Sequence, residues 1–286
     1  MTPTTDLAPH RSSESDRTES QAPDQHDTII DEAHRGRTKS LLIGAVILTI
    51  ITCSAWAVGF LDGRRLIGGF SDAISLLREM WPPDFTNINS WWLPLIDSMT
   101  MSIAATALAV VISIPLALSG ARSTSVHPAL YWMSRMVLNL LRSVPELILA
   151  IVLVAAVGFG ALPGALALGI HSAGMVGKFF AEAIEHADPA PIEAVRASGA
   201  TPGQVLLHGV LPQVMPQMAD VTIYRWELNF RASVVVGVVG AGGIGFELIA
   251  ALRTLQYDQV AAILTLILAT VTAVDAVGGL IRKRFQ

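Results

Sequence analysis

One otherwise apolar stretch of this sequence, between about residues 213 and 239, contains four charged residues and an asparagine: Asp220, Arg225, Glu227, Asn229 and Arg231. Charged side chains are costly within a membrane, usually face the interior of a helix bundle, and often mark the path of a polar substrate. Glu227 and Arg231 are four residues apart and could instead form a structural pair along one helix face. Arg225 has no equally obvious local partner. We therefore predict a substrate pathway formed by Arg225, Glu227, Asn229 and Arg231.

The glycine-rich segment that follows, VGVVGAGGIG at 236–245, has the glycine spacing of a dinucleotide-binding fingerprint. That function requires a preceding strand and a following helix in a soluble βαβ unit, and this sequence has neither. In a membrane protein, such glycines are typical of a broken or re-entrant helix in which backbones approach closely. We predict a gate of this kind at the outer side of the pathway, formed by Gly240, Gly242, Gly243 and Gly245.

Two other patterns could suggest chemistry. The segment GMVGK ends at Lys178, but Ser172 stands where a phosphate-binding loop needs its first glycine, and Phe179 follows the lysine. We therefore expect no ATPase within this chain. The histidines near the amino terminus are far apart and lack the short spacings of metal ligands, so we predict no metal site.

The longest polar interruption in the second half of the chain covers residues 188–212. Asp188 followed by Pro189 predicts the start of a short helix, which Gly199 ends. Thr201 and Gln204 form a capping box that starts a second helix through Val205, Leu206 and Leu207. We predict a helix-turn-helix between membrane segments that presents an apolar ridge to a partner outside the bilayer.

The composition is that of a membrane protein. The 286 residues are 52% hydrophobic and 15% charged, whereas a soluble domain has about 25% charged residues. Residues 1–38 are polar and lack apolar periodicity, which predicts a disordered cytoplasmic tail. The single cysteine, Cys53, excludes a disulfide within one chain.

About six membrane-spanning helices are expected from the apolar runs, at 41–60, 98–119, 144–159, 165–183, 213–239 and 261–280. Basic residues before the first run and after the last place both termini in the cytoplasm. A cleaved signal peptide is the competing interpretation of the first run, but its amino-terminal region is too long, which favours an uncleaved anchor. We divide the chain at 38 and 97: residues 39–97 hold the first span and an extracytoplasmic interfacial segment, and residues 98–286 form the transport core.

Residues 61–97 contain three tryptophans that suit a bilayer interface: Trp81, Trp91 and Trp92. Pro82 and Pro83 separate an amphipathic helix near residues 74–80 from the next span. A tight outer turn is predicted at 160–164, GALPG.

The polar loop at 188–212 resembles the EAA loop of ABC importer permeases. Its matching residues are Glu193, Ala194, Gly199, Leu211 and Pro212, whereas Val195 and Gly209 depart from the pattern. In that family the loop is the cytoplasmic coupling helix, which docks on the ATPase subunit. Three further segments, LPQVMPQ, YRWELNFRAS and VGAGGIG, resemble the permeases of phosphonate ABC importers, and this resemblance covers roughly residues 98–285.

The resemblance implies an all-α integral membrane protein of the type I ABC importer permease class in a bacterial cell (inner) membrane. It implies a homodimer, two ATP-binding cassette ATPase subunits in the cytoplasm, an extracytoplasmic solute-binding protein and surrounding membrane lipid, with no nucleic acid. ATP and Mg would be used by the ATPase partner, and this chain would bind no cofactor and catalyse no reaction.

The resemblance implies a phosphonate or related phosphorus oxyanion as the substrate, and the guanidinium groups of Arg225 and Arg231 are compatible with it, because such groups match tetrahedral oxyanions. This fit does not separate phosphonate from phosphate or phosphite. The alternatives are a permease for another small polar solute such as methionine, a passive channel, and an integral-membrane enzyme using the scattered residues His171, Lys178, Glu182 and Glu185.

Overall fold

The computed structural model describes residues 22–284, with side chains from Lys39 to Arg284. Every regular element in this part of the chain is helical. Helices α1 to α6 cover Ala22–Val58, Gly63–Glu79, Ile88–Gly120, Pro128–Ser143, Glu146–Val157 and Ala161–Glu185. Helices α7 to α11 cover Pro189–Ala197, Pro202–Val205, Leu211–Val236, Ile244–Arg253 and Tyr257–Arg282. Single π-helical turns at Leu206–Val210 and Gly237–Ala241 precede and follow α9.

The chain divides into two compact units, with the boundary between Ser75 and Leu76. In the first unit, the apolar part of α1 from Lys39 to Val58 buries none of its residues, as expected of a lipid-facing span. Residues 1–21 of the predicted disordered tail lie outside the described residues. Helix α1 begins at Ala22, within the predicted tail, and continues without a break into the first span.

The second unit is built on α3, α6 and α9, which pack against one another. Glycines of α6 make this packing close on two sides. A Cβ at Gly169 would lie 3.2 Å from the Ala105 carbonyl oxygen of α3, and one at Gly174 would lie 2.7 Å from the Arg142 nitrogen of α4. Helices α4 and α5 flank α6, while α10 and α11 pack against one another and against α9.

Within residues 22–284, three helices are long and apolar enough to cross a membrane: Lys39–Val58 within α1, α3 and α11. Two bent pairs raise the number to five if each counts as one span. The remaining predicted span, at 165–183, corresponds to α6, which has 25 residues but is not among these helices. All six predicted runs are therefore helical for most of their length.

The predicted span at 144–159 contains a helix that is shorter than a full crossing. Helix α5 has only 12 residues, which at about 1.5 Å per residue extend roughly 18 Å, less than the hydrocarbon thickness. It meets α4 at an angle of 83°, because Pro145 follows the end of α4 and disfavours a continuous helix. The predicted outer turn is also displaced: positive φ values occur at Gly158 and Gly160, and α6 begins at Ala161.

The interfacial segment is partly as predicted. An amphipathic helix, α2, ends at Glu79 before the two prolines. Trp81 and Trp92 are 76% and 50% exposed, as an interfacial position requires, but Trp91 is 2% exposed. Trp91 instead packs with Phe230 and Ile263 in an apolar cluster, because α3 begins ten residues earlier than the predicted span and turns this side chain inward.

Candidate functional site

A chain of buried hydrogen bonds joins the three central helices. On α9, Arg225 donates from Nε to Ser172 Oγ of α6 at 2.8 Å. The Ser172 hydroxyl donates to Asn229 Oδ1 at 2.8 Å, and Asn229 Nδ2 donates to Thr106 Oγ1 of α3 at 2.9 Å. All four side chains are buried. Two of the predicted pathway residues, Arg225 and Asn229, are thus brought together, while Ser172 and Thr106 were not predicted.

The alternative pairing of Glu227 with Arg231 does not occur. Arg231 instead forms an ion pair with Asp275 of α11, with 2.6 Å between Nη2 and Oδ2. Glu227 pairs with Arg282, which also belongs to α11, with 3.1 Å between Oε1 and Nη2. A tertiary contact replaces the local one because α11 packs along α9 and offers a charge of opposite sign at each level.

The four charged residues of this segment therefore differ in their ion pairing. Among the residues that the structure describes with side chains, Arg225 forms no ion pair, although it is only 8% exposed. Arg231 is neutralised by Asp275, and Asp220 lies 3.9 Å from Arg282. Of the two arginines in this segment, Arg225 is therefore the one without an ion pair among the residues described with side chains.

The pair between Glu227 and Arg282 depends on the absence of a side chain at Gly278. A Cβ at Gly278 would overlap Glu227 Oε1 and lie 2.9 Å from its Cδ. At the adjacent Gly279, a Cβ would meet nothing within 4 Å. The two neighbouring glycines of α11 thus form a natural comparison.

We predict that Gly278→Ala destabilises the folded chain by about 1–3 kcal/mol, the usual cost of overpacking. Gly279→Ala is the matched control and is expected to be neutral or slightly stabilising, since alanine favours a helix over glycine. Thermal unfolding of the two purified variants in detergent measures the difference. Equal unfolding temperatures would contradict the assigned position of Glu227.

The predicted broken helix is present. Gly240, Gly242 and Gly243 have φ values of 99°, 75° and 71°, a region that strongly favours glycine. The chain then turns back on itself: a Cβ at Gly245 would overlap the Val234 carbonyl oxygen. The turn is held against α3, where Ser98 Oγ accepts a hydrogen bond of 3.0 Å from the Ile244 backbone.

Another contact missed by the sequence lies at the bend between α4 and α5. His171 of α6 places Nδ1 2.9 Å from the Val144 carbonyl oxygen and Nε2 3.4 Å from Glu146 Oε2. The other titratable residues considered for an enzyme are engaged elsewhere, since Lys178 pairs with Glu182 and Glu185 pairs with Arg135. They do not form one reactive group.

The polar loop folds as its capping signals predict. The Ala190 backbone donates to Asp188 Oδ1 at 2.9 Å at the start of α7, and Gly199 ends the helix with a φ of 84°. The Thr201 backbone donates to Gln204 Oε1 at 2.9 Å at the start of α8.

The base of this loop is fixed to α9 by Gln213. Its Oε1 accepts from the Asp188 backbone at 2.9 Å, and its Nε2 donates to the Gly209 carbonyl oxygen at 2.6 Å. Gly209 also allows α7 to approach, because a Cβ there would lie 3.3 Å from Ile192 Cα. The departure from the EAA pattern at Gly209 thus has a structural reason.

The coupling candidates fall into two groups. Glu193, Ala194 and Gly199 are exposed. Leu211 packs on the apolar core and Pro212 lies in the first turn of α9, so these two residues secure the loop instead of extending its outer face. The ridge of α7 also differs from the prediction, because Ile192 packs on the core and leaves a mixed polar face outward.

The unpredicted members of the site share one property. Ser172, Thr106, Asp275 and Arg282 contact α9 residues that are 44 to 123 positions away in sequence. Periodicity and local spacing carry no signal for such contacts, which arise only when the helices pack.

Comparison with known proteins places these features in a wider context. Residues 109–286 match the family model described as binding-protein-dependent transport system inner membrane component. The phosphite transport system permease protein PtxC of Stutzerimonas stutzeri is 61% identical over 242 residues, which cover 85% of this chain and 88% of that protein. The phosphate-import permease protein PhnE of Mycolicibacterium smegmatis is 42% identical over 230 residues, covering 80% of this chain and 43% of that protein.

The fold has solved counterparts. A permease chain in an inward-facing structure of the MetNI methionine ABC transporter superposes with a TM-score of 0.62 at 20% identity, covering 70% of this chain and 99% of that chain. An amino acid ABC transporter structure with histidines gives a TM-score of 0.59 at 18% identity, covering 70% of this chain and 98% of that chain. These similarities establish the architecture of a type I ABC importer permease.

Proposed function

We propose, from the premise that this chain belongs to the family of binding-protein-dependent transport system inner membrane components, that it carries phosphite or a related phosphorus oxyanion across the membrane. As a permease subunit, it is a multi-pass membrane protein rather than an enzyme. The observation that carries the substrate assignment is Arg225, a buried guanidinium with a fixed orientation and no ion pair among the described residues.

The geometry around Arg225 suits a transient contact with an oxyanion. Its Nε is committed to Ser172, which leaves the two terminal nitrogens of the guanidinium for a ligand. A guanidinium offers paired donors to tetrahedral oxyanions and stays charged when buried. One such group per chain gives moderate attraction, as a pathway requires, since a tight site would hold the substrate instead of releasing it.

Movement would reach this residue through α9. In the proposed cycle, ATP binding closes two partner ATPase subunits, which draws the α7 loops of two permease copies together and switches the pathway from inward-facing to outward-facing. Gln213 ties the loop to α9, and Arg225 lies twelve positions further along the same helix, roughly 18 Å away. The helix ends at the glycine break, so one rigid element links the loop, the cation and the gate.

The partners in this proposal are a second copy of the chain, two cytoplasmic ATPase subunits that use ATP and Mg, and an extracytoplasmic solute-binding protein. The division at residues 38 and 97 separates the transport core from an anchor and interfacial segment that precede it. A permease for methionine or another small polar solute is the alternative, and its support is fold similarity alone.

Both termini and the α7 loop are proposed to be cytoplasmic, because basic residues flank the first and last spans. In a Cys53→Ser background, Ser198→Cys should be shielded from an impermeant thiol reagent in intact cells, whereas Asn87→Cys should react. Both positions are exposed, so reactivity reports the side of the membrane. Labelling of Ser198→Cys from outside would show that the α7 loop is extracytoplasmic and contradict the proposed orientation.

The substrate assignment is tested by uptake into cells in which the gene is disrupted and then restored. Restored cells should accumulate labelled phosphite, and unlabelled phosphonate or phosphate should compete to an extent that ranks the three anions. Restored uptake of methionine with no uptake of any phosphorus oxyanion would replace this substrate class with the alternative.

A further inference from the structure

A second group of cationic side chains lies away from the pathway, where α3 ends and α4 begins. There an open cavity of about 800 Å³ is lined by Arg122, Tyr131, Trp132, Arg135, Glu185 and His186. None of these residues is used by the transport mechanism described above. Glu185 is the last residue of α6 and immediately precedes the segment leading to α7, so the cavity opens on the same side of the membrane as the coupling loop.

Two guanidinium groups share one aromatic ring in this cavity. The Cζ atoms of Arg122 and Arg135 lie 5.7 Å and 5.5 Å from the centre of the Tyr131 ring. Arg135 is held further by Nε donation to the Gly120 carbonyl oxygen at 2.7 Å. Arg122 donates from Nε to the Tyr131 hydroxyl at 3.3 Å. Its two terminal nitrogens take no part in that hydrogen bond.

One carboxylate, that of Glu185, lies against these two cations. Glu185 Oε1 lies 2.9 Å from Arg135 Nη2 and accepts from the Arg122 backbone at 3.0 Å. Burial alone would raise the pKa of Glu185, but its hydrogen bonds to the Arg122 backbone and the Arg135 guanidinium bring that pKa below its ordinary value. Glu185 therefore remains ionised near neutral pH, and the cavity retains one uncompensated positive charge.

The surroundings of the cavity match a membrane boundary. Gly120 and Glu185 end two neighbouring helices of the bundle, so the cavity lies where these helices leave the hydrocarbon region. The adjoining face of α4 exposes apolar side chains that would face lipid: Trp132, Met133, Met136 and Leu140. A tryptophan beside arginines at this level is typical of an interfacial position, with the ring among acyl chains and the cations among head groups.

We infer that Arg122 and Arg135, held on the Tyr131 ring, form a binding site for a phosphate oxyanion, and that its occupant is the head group of an acidic phospholipid whose acyl chains lie along the apolar face of α4. A free phosphate in solution has the same oxyanion but lacks the acyl chains that Trp132 and its neighbours would contact. Basic pockets between membrane helices bind lipid head groups by this chemistry. The inference does not depend on which substrate the pathway carries.

The test uses the full-length chain in phosphatidylcholine vesicles that contain a minor fraction of phosphatidylglycerol with brominated acyl chains. Bromine quenches a tryptophan that it contacts, and subtracting the signal of Trp132→Phe isolates Trp132. Quenching should exceed that given by the same fraction of brominated phosphatidylcholine. The preference should fall about fivefold in Arg122→Gln, since an arginine near a membrane surface contributes about that factor.

Two matched variants control for charge and position. Arg122→Lys keeps the charge and should keep most of the preference, whereas Arg253→Gln removes an exposed arginine of α10 and should leave it unchanged. Arg122 is itself exposed, so its replacement should not affect folding. An unchanged preference in Arg122→Gln, or none in the wild type, would overturn the inference. Displacement of the lipid by excess inorganic phosphate would show a free oxyanion site and overturn the lipid assignment.

Discussion

Replacing Arg225 by glutamine is expected to lower the rate of phosphite uptake by about tenfold to a hundredfold, because the path loses a charged hydrogen-bond donor whose net contribution is roughly 1.5–3 kcal/mol. The chain should still fold, since a glutamine amide can donate to Ser172 Oγ in place of the Arg225 Nε. Uptake in cells, compared with the amount of the variant in the membrane, gives the measurement.

The matched control is the neutral double variant Arg231→Gln with Asp275→Asn, which removes an ion pair without changing the net charge. If Arg225 alone attracts the anion, the double variant should retain most of the uptake, and Arg225→Lys should be intermediate because lysine keeps the charge but not the paired donors. Full uptake by Arg225→Gln would show that the charge of Arg225 is not needed for transport and that Arg225 is not a pathway residue.

Replacing Gly199 by valine should separate ATP hydrolysis from uptake. Gly199 has a φ of 84° and nothing within 4 Å of a built Cβ, so the substitution acts through backbone conformation rather than through a clash. A left-handed conformation costs an ordinary residue about 1–2 kcal/mol, which predicts roughly a tenfold fall in uptake per ATP hydrolysed. Hydrolysis by the complex and uptake by vesicles, measured on the same preparation, give this ratio.

Gly199→Asn is the matched control, because asparagine adopts the left-handed conformation more readily than valine and should preserve coupling. Glu193→Lys tests the other end of the same surface: Glu193 is exposed, and reversing its charge should release the ATPase or uncouple it without affecting the fold. Normal coupling in both Gly199→Val and Glu193→Lys would remove the docking role from this loop.

Local signals in the sequence were sufficient where the structure is local. The caps at Asp188 and Gly199 and the glycine break after α9 depend on residues within a few positions of each other, and they appear as predicted. The sequence analysis did not, however, anticipate the short length of α5, although Pro145 marks the bend that separates α5 from α4.

The charged residues of α9 show the limit of spacing arguments. A separation of four made Glu227 and Arg231 a plausible pair, yet each pairs with a residue of α11. The sequence contains Asp275 and Arg282, but only helix packing sets their register against α9. For the same reason, the sequence did not reveal the contacts of Ser172 and Thr106 with α9. The lack of a local ion-pair partner for Arg225 could be suspected from the sequence, but its hydrogen bond to Ser172 could not.

In the proposed function, this chain forms an ATP-driven pathway for a phosphorus oxyanion. Its most direct test is a reconstitution of the chain in vesicles with its ATPase and solute-binding partners, followed by measurement of labelled phosphite inside the vesicles. Accumulation should require ATP on the side of the α7 loop and should be lost when the ATPase is inactive. Phosphite entry at the same rate without ATP or without the ATPase would identify a passive channel and contradict the account.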